Sequence, residues 1–92
     1  MDKILLYKKN DCSTCEAAKF VISRCLSIRN LEYSECVEEK FVDKSSDANA
    51  EMMMLDSLTT PVVVIGKIIL KEKDAANQSL VSDAIDKWTS LG

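Results

Sequence analysis

Ile4-Leu5-Leu6-Tyr7-Lys8-Lys9-Asn10-Asp11-Cys12-Ser13-Thr14-Cys15 is the stretch that sets the architecture of this chain. Its first four residues are a continuous apolar run, as expected of a strand covered on both faces. Asn10-Asp11 supplies a turn. From Ser13 to about Arg29, the residues Ala18, Val21, Ile22, Cys25 and Ile28 recur at three- and four-residue spacing. That periodicity predicts a helix stopped at Asn30. Cys12 and Cys15 therefore lie where a strand feeds a helix N-terminus. Unpaired N–H groups and the positive end of the helix dipole make this the place where a thiol pKa is most readily lowered.

Working outward, Leu31 to Val37 alternates imperfectly and reads as a second strand. Glu38 to Asn49 is charged and polar, and Lys44-Ser45-Ser46-Asp47 carries loop and N-cap chemistry. Ala50 to Ser57 reads as a short helix whose methionines, Met52 to Met54, serve packing. Val62–Ile65 and Ile68–Leu70 read as strands joined by a hairpin at Gly66-Lys67. Asp74 or Asn77 can cap a last helix with the apolar face Leu80, Val81, Ala84, Ile85 and Trp88. The order is βαβαββα. Helical crossovers imply parallel pairing in the first half, and the glycine hairpin implies antiparallel pairing at the end. A mixed four-stranded sheet with helices on both faces meets both demands, and makes residues 1–92 one α/β domain.

Composition excludes several function classes. The formal net charge of −3, with no Lys/Arg-rich block, argues against nucleic-acid binding. No apolar run reaches the length of a membrane span. No basic region followed by a long apolar stretch marks a signal peptide, so a cytoplasmic, reducing location is expected. There a CxxC is catalytic or metal-binding rather than a structural disulfide. The chain has no histidine, which removes Cys-His nucleophile pairs and histidine metal ligands. Its two glycines, Gly66 and Gly92, leave no phosphate-binding glycine loop.

The chemistry then falls to the cysteines. The N–H groups of Ser13, Thr14 and Cys15 are expected to face the Cys12 sulfur and favour its thiolate. Lys8 and Lys9 add positive charge, and Asp11 opposes it. One helical turn brings Cys15 back beside Cys12 with less exposure. Cys12 is thus expected to attack a disulfide, and Cys15 to resolve the mixed disulfide. The alternative is a zinc site completed by Cys25 and Cys36, since the chain has four cysteines. Cys25 falls on the apolar helical stripe, and Cys36 has no second CxxC or knuckle glycine around it. Both are expected to be structural, with no metal bound. Pro61, the single proline, could be a simple loop terminator. Coupled to an upstream strand–CxxC–helix unit, a cis Thr60–Pro61 bond facing the cysteines is the better expectation. It would offer the backbone of Thr60 to an extended substrate.

These segments together, Tyr7 to Cys15, Thr59-Thr60-Pro61 and Val62 to Gly66, resemble the glutaredoxin family of the thioredoxin superfamily over nearly the whole chain. The resemblance implies a thioredoxin/glutaredoxin-like fold and thiol–disulfide exchange. It places Lys9 where a lysine contacts the glycine carboxylate of glutathione, makes Thr59, Thr60 and Pro61 substrate-binding, and puts Asp74 near the family's acidic position. Two departures stand out. The common Cys-Pro-Tyr-Cys is here Cys-Ser-Thr-Cys, and the Gly-Gly that follows the last strand is here Lys71-Glu72. The implied protein is a monomer that needs no cofactor. It acts on disulfide-bearing proteins or small molecules, and draws electrons from glutathione, another low-molecular-weight thiol or a disulfide reductase. The rival classes are a metal module, with Cys12 holding an iron–sulfur cluster alongside external thiols or four cysteines holding zinc, and a redox-inactive interaction domain that uses the edge near Pro61.

Overall fold

The apolar run at the start of the chain forms β1 (Ile4–Lys8), and alternation along it divides the core between two faces. Ile4 and Leu6 point into one cluster with Ala18, Ile22, Cys25, Leu26, Val63, Ile65, Val81 and Ile85. Tyr7 points to the other face, against Met52 and Val62, with Leu5 and Val64 beside them. The computed structural model describes residues 2–91. In chain order it consists of β1, α1 (Ser13–Ile28), α2 (Tyr33–Cys36), β2 (Val37–Phe41), α3 (Ser46–Met54), β3 (Val62–Ile65), β4 (Ile68–Lys71), a 3₁₀ turn (Glu72–Ala76) and α4 (Gln78–Leu91). The sheet order is β2-β1-β3-β4. β1 pairs parallel with β2, and β1–β3 and β3–β4 are antiparallel, so the mixed four-stranded sheet is as the sequence implies. α1 and α4 cover one face, and the short α3 serves the other.

α1 starts at Ser13, as its pattern requires, and ends one residue before Arg29. Asn30 takes φ +58°, with its N–H on Ser27 O at 3.0 Å and the Leu31 N–H on Leu26 O at 2.9 Å. This pair of bonds is a Schellman closure, and asparagine tolerates the left-handed residue it needs. The apolar stripe is Ala18, Ile22, Cys25 and Leu26. Ile28, assigned to it from sequence, falls at the margin of that stripe and is 68% exposed.

The second strand lies later than its alternation suggested. Leu31 to Cys36 holds a single helical turn, closed by the Cys36 N–H on Glu32 O at 3.1 Å, and β2 begins at Val37. β2 is an edge strand, where charged side chains can turn to solvent or pair laterally. Glu39 pairs with Lys19 at 3.3 Å, and Lys40 with Glu51 at 2.8 Å. Those charges are why Glu38 to Phe41 reads as a loop from sequence alone.

α3 begins at Ser46, earlier than expected, because Ser45 caps it by accepting the Ala48 N–H at 3.2 Å. Of the three methionines only Met52 packs. Met54 is 84% exposed, with Met53 also outward, since a short helix buries a single narrow stripe. The Gly66-Lys67 hairpin forms as expected, with Gly66 at φ +61°. Asn77, not Asp74, caps α4 by accepting the Leu80 N–H at 3.1 Å. Val81, Ala84, Ile85 and Trp88 are buried, and Leu80 lies largely outside the stripe. The Trp88 indole donates to Asp2 O at 2.9 Å, which ties α4 to the start of the chain.

Candidate active site

Cys12 is the N-cap residue of α1, with extended backbone (φ −119°, ψ 100°). Its C=O accepts the first helical bond from the Glu16 N–H at 3.2 Å, and its sulfur accepts from the Cys15 N–H at 3.2 Å. A side-chain acceptor at this position satisfies one of the helix's orphan donors, here with sulfur in the place usually taken by oxygen. Of the three N–H groups expected to face the sulfur, the one on Cys15 makes the bond. Ser13 is exposed and Thr14 half-buried, and neither N–H reaches it.

Cys12 and Cys15 form a disulfide, with Cα atoms 5.2 Å apart. The two sulfurs are unequal. Cys12 is half-buried, whereas Cys15 is 0% exposed, on the inward stripe of α1. Solvent or a second molecule can therefore approach the pair only from the Cys12 side.

The loop before β3 closes over that side. The Thr60–Pro61 bond is cis, Pro61 is buried, and Thr60 Oγ1 lies 3.6 Å from Cys12 Sγ across 48 positions of sequence. Neither the N–H nor the C=O of Thr60 has a hydrogen-bond partner among the described residues. Thr59 is exposed and points away from the sulfur, its hydroxyl donating to Glu72 Oε1 at 2.9 Å. Glu72, marked in the sequence as a departure from a double glycine, also donates its N–H to Pro61 O at 2.8 Å. It holds φ +52°, a left-handed conformation that favours glycine. Lys71 Nζ reaches Asp56 O at 3.2 Å. Lys71 and Glu72 thus turn both side chains onto the loop that carries Pro61.

Neither Lys9 nor Asp74 makes a side-chain hydrogen bond to the Cys12 or Cys15 sulfur among the described residues. Lys9 is exposed beyond the end of β1, and Asp74 is exposed in the 3₁₀ turn, its C=O accepting the Asn77 N–H at 3.1 Å. Lys8 is not a free positive charge. It is buried, and pairs with Glu16 at 3.3 Å and Glu39 at 3.7 Å, with the Phe41 ring 5.4 Å from its nitrogen. The signal was present in the alternation, because Ile4, Leu6 and Lys8 share one face of β1. Burial works to raise the Glu39 carboxyl, but hydrogen bonds from Tyr33 and Lys19 and the charge of Lys8 outweigh it and hold Glu39 below the usual carboxylate range.

Cys25 and Cys36 are free thiols, Cys25 in the main core and Cys36 half-buried at its margin. Burial pushes the Cys25 thiol up, away from the reactive thiolate. Among the described residues no three Cys, Asp or Glu side chains converge as metal ligands. No helix among them is long and apolar enough to cross a membrane.

No protein-family model matches the chain, and no curated protein matches it either. Solved structures do. One is the glutaredoxin-like NrdH-redoxin from Escherichia coli, at 22% identity and a TM-score of 0.64, covering 88% of this chain and 92% of that one. Another is a mutant of the thioredoxin-like protein BC3987, at 28% identity and a TM-score of 0.55, covering 75% of this chain and 84% of that one. The chain has the thioredoxin-superfamily fold in its glutaredoxin-like form.

Proposed function

We propose that this protein is a thiol–disulfide oxidoreductase that reduces protein or low-molecular-weight disulfides through Cys12 and Cys15. The observation that carries the proposal is the disulfide at the N-terminus of α1, with one sulfur accessible beside Thr60 and the other fully buried. In the reduced protein the Cys12 thiolate attacks one sulfur of the substrate disulfide. The substrate S–S bond breaks, and the leaving thiolate takes a proton. Cys15, deprotonated, then attacks Cys12 Sγ, forms the intramolecular disulfide and releases the second substrate thiol. Two electrons pass from the protein to the substrate. An external dithiol reductase or thiol pool returns them.

Thr60 and Pro61 are proposed to orient the substrate, with the unpaired N–H and C=O of Thr60 available to an extended segment. Thr59, Lys9 and Asp74 are proposed as outer contacts. Ser13 and Thr14, in the first turn of α1, are proposed to support the thiolate through the helix end. Glutathione is proposed to be a poor partner. Glu72 places a carboxylate and side-chain bulk against Thr59, where a double glycine would leave backbone open. A thioredoxin-type reductase is the favoured donor, in keeping with the thioredoxin-like activity profile described for the NrdH-redoxin neighbour. A cytoplasmic setting suits a dithiol that must be kept reduced.

Insulin reduction assayed on metal-free protein, with glutathione and glutathione reductase in one arm and thioredoxin reductase in the other, tests the proposal. Turnover with thioredoxin reductase supports both the chemistry and the donor. No turnover in either arm rejects the oxidoreductase assignment.

A further inference from the structure

Phe20 breaks the pattern that builds α1. It lies on the outward side of the helix, 66% exposed and outside both apolar clusters. A single exposed apolar residue is ordinary in itself. This one has a hole beside it. A cleft of about 310 Å³ is lined by Glu16, Lys19, Phe20 and Ser23. Those positions are i, i+3, i+4 and i+7, the four residues that bound a hole when one helix packs on another. The outer face of α1 thus carries a knob and a hole at one height. Ala17 and Ser23, three residues to either side of Phe20, are small and let a second helix come close.

The charges on this face are ordered about the same residue. Glu16 stands four residues before Phe20 and Arg24 four residues after it. Glu16 gives only Oε1 to Lys8, at 3.3 Å, and its side chain is 66% exposed. Arg24 is exposed, and no carboxylate pairs with it among the described residues. Lys19, by contrast, is held by Glu39 at 3.3 Å and lies over the Tyr33 ring. We infer that a second copy of this chain docks on the outer face of α1, with the two helices antiparallel about a two-fold axis close to Phe20. A two-fold interface requires a surface that complements itself, and this one does. Each Phe20 enters the hole beside the other. Glu16 of each copy lies level with Arg24 of the other, and Ala17 with Ser23. Antiparallel helices also oppose their dipoles favourably. The two Cys12 residues then stand at opposite ends of the pair, about 24 Å apart along the axis at about 1.5 Å per residue. The inference is independent of the exchange chemistry proposed above, and it departs from the monomer that the family resemblance implies.

The test is sedimentation equilibrium of the full-length chain with a reductant present, so that no intermolecular disulfide contributes. The weight-average mass should rise from one chain towards two between about 10 µM and about 1 mM, a range that spans weak pairing. Phe20→Ser removes the central ring and should weaken the pairing about tenfold or more. Arg24→Glu sets carboxylates level with one another and should also weaken it. Both residues are exposed, so thermal melts of these two variants should stay close to that of the unaltered protein. Glu16→Arg should weaken the pairing too. Mixing the Glu16→Arg chain with the Arg24→Glu chain should restore it, because opposite charges then meet at both ends. If Glu16→Arg melts early for want of its pair with Lys8, Phe20→Ser and Arg24→Glu decide alone. A chain that stays single through the whole range overturns the inference. So does pairing that Phe20→Ser or Arg24→Glu leaves unchanged.

Discussion

The two ends of α1 each hold a cysteine, and they treat it in opposite ways. At the N-terminus, Cys12 replaces the usual oxygen cap, takes the Cys15 N–H at 3.2 Å and stays half-open to solvent. Toward the C-terminus, Cys25 packs among Ile22, Leu26 and Ile85, where burial raises its thiol. Arg29 closes that end by donating to Cys25 O at 2.7 Å and pairing with Asp86 at 2.8 Å. The difference is one of helix position and not of residue type, and the reactivity proposed for Cys12 rests on it. Orphan N–H groups and the positive dipole end act on Cys12, while carbonyls and apolar neighbours surround Cys25.

The largest test of that contrast is to remove each cysteine in turn. Cys12→Ser should abolish insulin reduction. Cys15→Ser should also stop dithiol turnover but leave a mixed disulfide trapped on Cys12, seen as a mass adduct on non-reducing analysis. An adduct at Cys25 or Cys36 instead would break the comparison. Cys25→Ala should leave exchange nearly intact and cost about 1 kcal/mol or more of stability in a denaturant titration, as a buried side chain is deleted. Cys36→Ala, at a half-buried site, should cost less. Loss of exchange in either variant would contradict the structural role given to both.

Much of the N-terminal half of this contrast was legible in the sequence. β1, the start of α1 and the Thr59-Thr60-Pro61 approach to β3 rest on local apolar runs and on single punctuating residues, which sequence carries directly. β2 was not legible, because Glu39 and Lys40 find partners on other elements and Glu38 pairs with Lys40 within the strand itself. The outward Met53 and Met54 were misread because a methionine run fits a buried or an exposed helix face equally well. Within the site, Cys12 and Cys15 announce themselves by spacing. Thr60 and Glu72 were singled out from the sequence, but the approach of the Thr60 hydroxyl to Cys12 across 48 positions and the bond of Glu72 to Thr59 are tertiary contacts that no local pattern carries.

A further test sharpens the contrast between the two faces of the sheet. Tyr7 lies under α3, where burial and its hydrogen bond to Glu51 at 2.9 Å raise its pKa to about 12. A folded-state value above the unfolded one of roughly 10 means that its contribution is complete below pH 10. It is lost as pH rises through about 12. Thermal melts at pH 9 and pH 11.5 should therefore show a smaller drop for Tyr7→Phe than for the unaltered protein. Equal drops would show that Tyr7 is not the titrating group. The smallest expected effect concerns the loop that faces Cys12. Lys71→Gly with Glu72→Gly should raise glutathione affinity in calorimetry on a Cys15→Ser background. The gain should be modest, because Lys9 is untouched. Tight glutathione binding by the protein with Lys71 and Glu72 intact would contradict the crowding assigned to Glu72.

The most direct test of the account is a single turnover. Reduced, metal-free protein is mixed with a disulfide substrate such as insulin in the absence of any donor, quenched with acid, alkylated and mapped by mass spectrometry. The account expects one Cys12–Cys15 disulfide for each substrate disulfide reduced, with Cys25 and Cys36 recovered as free thiols. Substrate left oxidised, or reduction accompanied by oxidation of Cys25 or Cys36 while Cys12 and Cys15 remain thiols, would contradict it.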